Sequence, residues 1–265
     1  MTDHLLVTVE GGVATMTMNR PKARNAVSME MRGAMLDAAD DIEHDKSIRC
    51  VVLRGAGGNF SAGGDVKNFK AYLEMEPFER RTSFERRVHG VNAMMLALRR
   101  MEKPMIASVE GAAAGGGFSL MSACDLAIGS DESYYSFSYL AIGAGPDGGG
   151  SYHLPRNVGV RKALEIAMLG GKIDAAEAHR LGLLNWVVPA ADIASETAKL
   201  ARRLADGPTV SYGNIKRLMY ASHANSYAQH LAMEAEGFGI CAATDDWTEG
   251  VTAFLEKRKP KFEGK

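Results

Sequence analysis

The chain has 265 residues, of which 46% are hydrophobic and 24% are charged. A chain of this length and composition can bury a sizeable core, and we expect one large domain with a small appendage. Lysine and arginine together number 31, and aspartate and glutamate number 32. The net charge is therefore close to zero, and it does not attract the chain to nucleic acid or to an anionic membrane surface. An anionic ligand would have to be held by a local cluster of basic residues.

The cysteines and the N-terminus narrow the class of protein further. Cys50, Cys124 and Cys241 are odd in number and far apart, which argues against a disulfide framework or a zinc site. Residues 1–4 have no charged-then-apolar leader, and no apolar run reaches membrane-spanning length. We therefore expect a cytoplasmic enzyme without a bound metal.

The first half of the chain predicts strands that alternate with helices. Short apolar and β-branched runs predict strands over residues 4–10, 13–18, 48–54, 105–110 and 124–129. Helices are predicted over residues 28–44, 83–101 and 115–123. Ser28 is the expected N-cap of the first helix. The apolar residues expected on one face of that helix are Met31, Met35, Leu36 and Ala39. Residues 66–82 are polar and are predicted to be irregular.

The second half of the chain becomes helical from Val160 onward. Gly182 is expected to end a helix over residues 175–181, and residues 186–189 predict a last short strand. The chain after Pro208 predicts helices only. The alternation of strands and helices indicates a layered α/β fold. Both a coiled ββα superhelix and a doubly wound parallel sheet fit this pattern.

Two glycine-bearing turns are the first candidates for chemistry. One covers residues 60–65, after a predicted strand, and the other covers residues 111–117, between a strand and a helix. Glycine lets the backbone approach a ligand closely, and a helix N-terminus presents N–H groups to negative charge. Two such turns side by side would direct two N–H donors at one oxygen, as an enolate requires. The second turn reads G-A-A-A-G-G-G, so it lacks the G-x-G-x-x-G spacing of a dinucleotide site.

Six segments resemble, in chain order, the motifs of the crotonase, or enoyl-CoA hydratase/isomerase, superfamily. They are N-R-P-x-x-x-N-A at 19–26, F-x-A-G-x-D at 60–65, the second glycine turn at 110–117, G-x-x-P-x-x-G-G-x-x-x-L-P-R at 143–156, the A-x-E-A…V-V-P type of segment at 175–189, and F-x-E-K-R-K at 254–259. The resemblance implies an α/β, crotonase-like spiral of ββα units over residues 1–195. It also implies a helical trimerisation region over residues 196–265, in a homotrimer or a hexamer built as a dimer of trimers.

The resemblance further implies an acyl-CoA thioester as substrate, with coenzyme A as part of the substrate and no separate cofactor. Gly64 and Gly116 match the family's oxyanion donors, and the Ala62 carbonyl matches its adenine contact. Basic residues that match candidate contacts to the CoA phosphates are Lys22, Arg24 and Lys257. Other residues of the expected substrate and CoA site are Ala23, Asp65 and Tyr139.

Departures from the family pattern bear on the reaction. The two catalytic glutamates of the hydratases correspond here to Ser119 and Tyr139. Hydration uses paired carboxylates, whereas serine is a poor base and tyrosine is neutral at pH 7. Asp147 is the carboxylate that remains, at a position where some isomerases use an aspartate. We therefore predict an isomerase that works through a thioester enolate, with Asp147 as acid and base.

Several alternatives remain open at this stage. The chain is a hydratase despite the missing glutamates, a dehalogenase or thioesterase-like hydrolase with Asp147 as nucleophile, or an acyl-CoA binder without activity. The dehalogenase alternative needs a histidine on the helix over 83–101, where His89 lies but where the family position falls nearer Asn92. Asp147 also suits a purely structural role in its turn. His153 is interpreted as structural.

Overall fold

The computed structural model describes residues 2–265. Met1 lies outside the described residues. It is the first residue of the segment 1–4, in which the sequence predicts no leader. Within residues 2–265, no helix combines the length and apolar character needed to cross a lipid bilayer.

Nine strands form two sheets within this range. The strands are β1 (Leu5–Glu10), β2 (Val13–Met18), β3 (Cys50–Gly55), β4 (Met105–Val109), β5 (Ala112–Ala114), β6 (Leu126–Ser130), β7 (Tyr134–Ser136), β8 (Ile173–Asp174) and β9 (Trp186–Val188). The larger sheet has the order β1-β2-β3-β4-β6-β9, and the smaller one has the order β5-β7-β8. Apart from the antiparallel pairs β1–β2 and β7–β8, neighbouring strands are parallel.

Helices connect and cover the strands. They are α1 (Met29–His44), α2 (Pro77–Arg100), α3 (Gly116–Ala123), α4 (Gly150–Val158), α5 (Val160–Leu169), α6 (Ala175–Arg180), α7 (Ile193–Ala205), α8 (Thr209–Ala221), α9 (Tyr227–Ala242) and α10 (Asp245–Leu255). The predicted α/β class is confirmed, and the chain after Pro208 is helical as expected. A doubly wound single sheet is wrong, because β5, β7 and β8 form a sheet of their own.

The first hairpin follows from local sequence. Gly11 and Gly12 adopt φ values of 55° and 81°, in the left-handed region that glycine enters without steric cost. The hairpin sets the register that opposes Leu5 to Met18. Alternate residues of β2 are buried, which is the period of a strand that covers a core on one face.

The predicted α1 is confirmed, with one correction on its buried face. The Ser28 hydroxyl accepts a hydrogen bond from the Met31 N–H at 3.1 Å and caps the helix. Met31, Met35 and Ala39 are buried as predicted, whereas Leu36 is 40% exposed. The prediction that Leu36 shares this face is wrong. Leu36 lies one residue past Met35, about 100° around the helix from the buried stripe.

Residues 66–82 are more regular than predicted. A 3₁₀ segment covers Val66–Tyr72, and α2 begins at Pro77 instead of Ser83. Proline suits the first position of a helix because its fixed φ is helical and its missing N–H has no partner there. The first turns of α2 are mostly exposed, so they carry no apolar stripe by which periodicity reveals a helix.

The helix α7 bears on the expected division of the chain. Ala201 and Ala205 of α7 are buried in a cluster with Val52 of β3 and Ile106 of β4. A boundary at residues 195 and 196 would therefore cut through a helix that packs on the larger sheet. The expected trimerisation role of the helices beyond α7 stays a prediction.

Candidate active site

The two glycine turns predicted from sequence lie side by side. The Ser61 N–H donates to the Ala112 carbonyl at 2.8 Å, and the Ala114 N–H donates to the Ser61 carbonyl at 2.9 Å. These bonds continue the parallel pairing beyond the end of β3, because Ser61 forms a bridge with Ala113 in β5. The turn after β3 is thereby fixed against the segment that leads into α3.

Close contact between the turns requires glycine at position 63. A Cβ atom there would lie 2.8 Å from the Gly116 nitrogen, whereas one at Gly116 would lie at an ordinary contact distance of 3.5 Å from the Gly64 nitrogen. Gly63 also has a φ of 92°, which L-residues rarely adopt. Neither the Gly64 N–H nor the Gly116 N–H donates to another residue of the described chain. Gly116 is the first residue of α3, where an N–H has no partner within the helix.

Residues 19–26, the first motif, pack against the turn at 60–65 and hold it in place. The Asn25 side chain is fully buried and donates to the carbonyls of Ala56 and Asn59 at 2.9 and 2.6 Å. Arg20 forms an ion pair with Asp65 at 2.8 Å. This pair ties residues 60–65 to the first motif. The expected contact of Asp65 with CoA stays a prediction.

A cavity is bounded by both turns, by α1 and α2, and by the turn that precedes α4. Gly64, Gly116 and Asp147 all line it, and Asp147 is the single carboxylate among the lining residues. The structure thus brings together the three residues predicted to be catalytic. Among residues 2–265, no group of three or more His, Cys, Asp or Glu side chains is arranged to hold a metal ion.

Asp147 is hydrogen-bonded to the two residues that occupy the hydratase glutamate positions. The Tyr139 hydroxyl donates to Asp147 Oδ1 at 2.9 Å, and the Ser119 hydroxyl donates to the Asp147 carbonyl at 2.9 Å. The two hydroxyls lie 2.7 Å apart. Burial and the charge of Asp147 raise the pKa of Tyr139 well above its usual range, so Tyr139 is a neutral donor at physiological pH. Tyr139 does not line the cavity, and its hydroxyl supports Asp147 instead.

This network holds Asp147 in either protonation state. Each hydroxyl has a single proton to donate. An ionised Asp147 accepts from Tyr139, and Ser119 then donates to the Asp147 carbonyl or to Tyr139. A protonated Asp147 is able to donate to the Tyr139 oxygen, whose own proton turns toward Ser119. The carboxyl group therefore keeps a partner when it gains or loses a proton, through rotation of two hydroxyls.

Ser119 itself is tightly enclosed. Its side chain is fully buried. A Cβ atom at Gly148 would lie 3.3 Å from the Ser119 Cβ, and one at Gly150 would collide with the Ser119 hydroxyl. Backbone from the turn after Asp147 thus occupies the space around position 119, which suits a small side chain.

The predicted CoA contacts lie outside this cavity. Lys22, Arg24 and Lys257 are exposed, and none of them forms an ion pair with a carboxylate of residues 2–265. The Ala62 N–H donates to the Arg24 carbonyl at 2.8 Å, which keeps this part of the two motifs adjacent. Ala23 ends a short 3₁₀ turn that begins at Pro21. Their contacts with CoA stay a prediction.

Histidines contribute nothing to the lining of the cavity. His89 and Asn92 are both exposed on α2, and neither lines the cavity, where the dehalogenase alternative needs a histidine. His153 is buried in α4. Burial, together with the charges of Arg99 and Arg156, lowers the pKa of His153 to about 4.

The low pKa of His153 predicts a loss of stability in acid. The folded chain keeps His153 neutral down to about pH 4, whereas the unfolded chain takes up a proton near pH 6.5. The unfolded state binds more protons between these values, so the free energy of unfolding falls as the pH falls. We expect a loss of about 2 kcal/mol between pH 7 and pH 5 from this residue. Urea unfolding of wild type and His153→Gln at both pH values measures it, and an equal loss in the variant would contradict this account.

The two basic residues of the cavity were not predicted from sequence. Arg32 of α1 and Arg87 of α2 both line it. Arginines in charged helices are most often solvated, and nothing in their spacing distinguishes these two from their neighbours. The pairing depends on how α1 and α2 meet, which is a tertiary contact.

Comparison with known proteins identifies relatives of this chain. The sequence model of a family described as Enoyl-CoA hydratase/isomerase matches residues 8–265. The chain is 34% identical to 1,2-epoxyphenylacetyl-CoA isomerase of Escherichia coli over the full length of both proteins. It is 31% identical to trans-2-decenoyl-[acyl-carrier-protein] isomerase of Streptococcus mutans, over 98% of each chain. It is also 33% identical to short-chain-enoyl-CoA hydratase of Clostridium acetobutylicum, over 97% of this chain and 96% of that one.

Solved structures agree with the fold. An enoyl-CoA hydratase from a Polaromonas species superposes with a TM-score of 0.90 at 35% identity, over 97% of this chain and 99% of that chain. An enoyl-CoA hydratase/isomerase from Mycobacterium abscessus superposes with a TM-score of 0.92 at 30% identity, over 98% and 100%. The predicted crotonase-like fold is confirmed.

Proposed function

We propose that this chain, which belongs to the enoyl-CoA hydratase/isomerase family, isomerises acyl-CoA thioesters through an enolate. The observation that carries the proposal is the single carboxylate of the cavity. Asp147 lines the same space as the N–H groups of Gly64 and Gly116, and the glutamate positions of the hydratases are filled by two hydroxyls that hydrogen-bond Asp147 or its backbone.

The proposed chemistry carries a proton from the α-carbon to the γ-carbon of the substrate by way of Asp147. The thioester oxygen accepts hydrogen bonds from Gly64 and Gly116, which form an oxyanion hole and acidify the α-carbon. The Asp147 carboxylate takes the α-proton of a 3-enoyl thioester, and negative charge spreads onto the oxygen. The protonated Asp147 then returns the proton to the γ-carbon, which leaves the 2-enoyl product. Rotation of the Tyr139 and Ser119 hydroxyls supports both states of Asp147.

Hydration is the principal alternative, because relatives are named both isomerase and hydratase. Adding water across a double bond uses one carboxylate to activate the water and another to deliver the proton. The cavity offers one. The raised pKa of Tyr139 also makes this tyrosine a poor proton donor. These observations favour isomerisation over hydration.

A direct comparison of two reactions tests the proposal. We expect the enzyme to convert 3-hexenoyl-CoA to the 2-enoyl isomer and to exchange the α-proton into deuterated water. Hydration of crotonyl-CoA is expected to be slower by orders of magnitude. Efficient hydration with slow isomerisation would overturn the proposal, and turnover of neither thioester despite tight binding would indicate an acyl-CoA binder.

The proposal includes the ligand and the absence of a separate cofactor. Lys22, Arg24 and Lys257 are proposed to hold the phosphates of CoA, and the Ala62 carbonyl its adenine. Calorimetry is expected to detect binding of acetoacetyl-CoA and none of NAD or flavin. Binding of NAD without binding of a CoA ester would contradict this assignment.

We also propose that the chain assembles as a homotrimer, or as a hexamer of two trimers. Helices α8, α9 and α10 expose large apolar side chains, among them Met219, Leu231, Phe238 and Phe254. Apolar surface of this kind is stabilised by burial between subunits. Sedimentation is expected to give three or six times the 28.5 kDa of one chain at micromolar concentration. A stable monomer would contradict the expectation.

A further inference from the structure

Two arginines face the space that holds the proposed reaction centre. Arg32 lies near the start of α1, and Arg87 lies midway along α2. Both line the cavity that contains Gly64, Gly116 and Asp147. Their positive charges therefore belong to the surroundings of the acyl group, which has to reach from the thioester into this cavity.

Neither arginine has an acidic partner in the described part of the chain. Neither forms an ion pair with a carboxylate of residues 2–265. The Arg32 side chain donates one hydrogen bond, from Nη1 to the Arg87 carbonyl at 3.2 Å. The Arg87 guanidinium lies 5.1 Å from the centre of the Phe69 ring, and it donates no hydrogen bond to the described chain. Since a guanidinium has five N–H donors, most of the donors in this cavity are left for a ligand.

The Arg32 guanidinium packs against α2 at Gly90. A Cβ atom at Gly90 would lie 2.6 Å from Arg32 Nη1 and 2.7 Å from Arg32 Cζ. Glycine inside a helix costs about 0.5–1 kcal/mol relative to alanine. Here the missing side chain leaves the room that the guanidinium occupies against α2. Arg32 is thus held beside Arg87 without the help of an acidic residue.

The charges that line the cavity are unbalanced. Two guanidinium groups stand against the single carboxylate of Asp147, and no ion pair joins Asp147 to either arginine. Much of the remaining lining is apolar, including Val91, Met94 and Met95. Charge beside apolar surface is stabilised by an opposite charge with good hydrogen-bond geometry. Arginine meets a carboxylate with two parallel N–H···O bonds, so a carboxylate is the group that this lining fits.

We propose that the acyl group bound here carries a second carboxylate, so that the substrates are CoA thioesters of dicarboxylic acids. Arg32 and Arg87 hold the free carboxylate while the thioester carbonyl lies at Gly64 and Gly116. The inference rests on the proposed function, which places the thioester there. The phosphates of CoA fit less well, because the full pantetheine arm separates them from the thioester.

Binding of two thioesters that differ only in the distal group tests the inference. Adipoyl-CoA and hexanoyl-CoA have acyl chains of equal length, and calorimetry gives the dissociation constant of each. We expect the wild type to bind adipoyl-CoA at least about tenfold more tightly, because a hydrogen bond to a charged group contributes on this scale. Arg32→Gln and Arg87→Gln are each expected to remove most of this preference. Arg86→Gln is the matched control, since Arg86 is the exposed neighbour on the same helix, and it should leave the preference unchanged.

Three outcomes would overturn the inference. One is equal affinity of the wild type for both thioesters. Another is an equal loss of affinity for free CoA in the Arg32 and Arg87 variants, which would assign the arginines to the CoA phosphates. The third is a preference that survives in both variants. Circular dichroism of each variant establishes that the fold is retained.

Proton exchange separates this inference from the proposed function. The α-protons of 3-hexenoyl-CoA and of 3-hexenedioyl mono-CoA are followed in deuterated water. Exchange of both at equal rates and affinities would support the enolate chemistry and overturn the dicarboxylate preference. A clear binding preference without exchange of either thioester would overturn the enolate chemistry and support the anionic acyl site.

Discussion

Replacement of Asp147 by asparagine is expected to lower the turnover of a 3-enoyl-CoA by about two to four orders of magnitude. Asparagine has nearly the same size as aspartate and is able to accept the hydrogen bond that Tyr139 donates at 2.9 Å. The Asp147 carbonyl, which accepts from Ser119, is unchanged. The substitution therefore removes the proton carrier of the cavity and little else. Stopped assays of 3-hexenoyl-CoA isomerisation, and α-proton exchange into deuterated water, measure the loss.

Binding and a graded variant distinguish catalysis from structure at Asp147. The affinity for acetoacetyl-CoA is expected to stay nearly unchanged in Asp147→Asn, because the proposed CoA contacts lie elsewhere. Tyr139→Phe, which keeps the carboxylate and removes one donor to it, is expected to lose much less activity. If Asp147→Asn exchanged the α-proton at the wild-type rate, Asp147 would be only a turn residue.

Replacement of Gly116 by proline is expected to lower turnover by about two to three orders of magnitude, the loss found when one oxyanion donor is removed. Proline has no N–H to offer. Gly116 is the first residue of α3. Proline is tolerated at this position. We therefore expect the variant to fold, which circular dichroism and thermal unfolding check.

Gly116→Ala is the matched control for this experiment. A Cβ atom at Gly116 has no neighbour closer than 3.5 Å, so alanine adds a Cβ atom that the site accommodates and keeps the N–H. Proline replaces the N–H hydrogen with its ring Cδ, so the difference in turnover between the alanine and proline variants measures the loss of the donor together with the effect of the ring. Equal activity of the two variants would mean that the Gly116 N–H does not stabilise the enolate.

Much of the fold follows from local sequence. The elements that sequence patterns do not predict lack a local signal. Gly11-Gly12 and Ser28 each determine one boundary through their own chemistry, and the structure has both where they are predicted. Strand β5 is only three residues long, and its alanines have no period that distinguishes a strand from a turn. The helix α4 opens at Gly150 and contains Pro155, residues that argue against a helix until tertiary contacts stabilise one.

Some residues of the candidate site are predicted from sequence motifs, and others depend on tertiary contacts. Gly64, Gly116 and Asp147 belong to motifs with fixed spacing, and the structure brings all three to one cavity. Asp65 belongs to such a motif as well, but its partner Arg20 is 45 residues away in sequence. Arg32 and Arg87 come together only when α1 packs on α2, and no spacing rule predicts that pair.

The enclosure of Ser119 limits how this chain is able to acquire another reaction. Glutamate at position 119 would need the volume that the backbone at Gly148 and Gly150 already fills. Glutamate in place of Tyr139 would put a second carboxylate where the tyrosine now donates to Asp147, and like charges at that distance disfavour ionisation of both. A route to a two-carboxylate enzyme therefore requires the turn after Asp147 to move together with both side chains. Neither substitution alone is therefore expected to convert this chain to a hydratase.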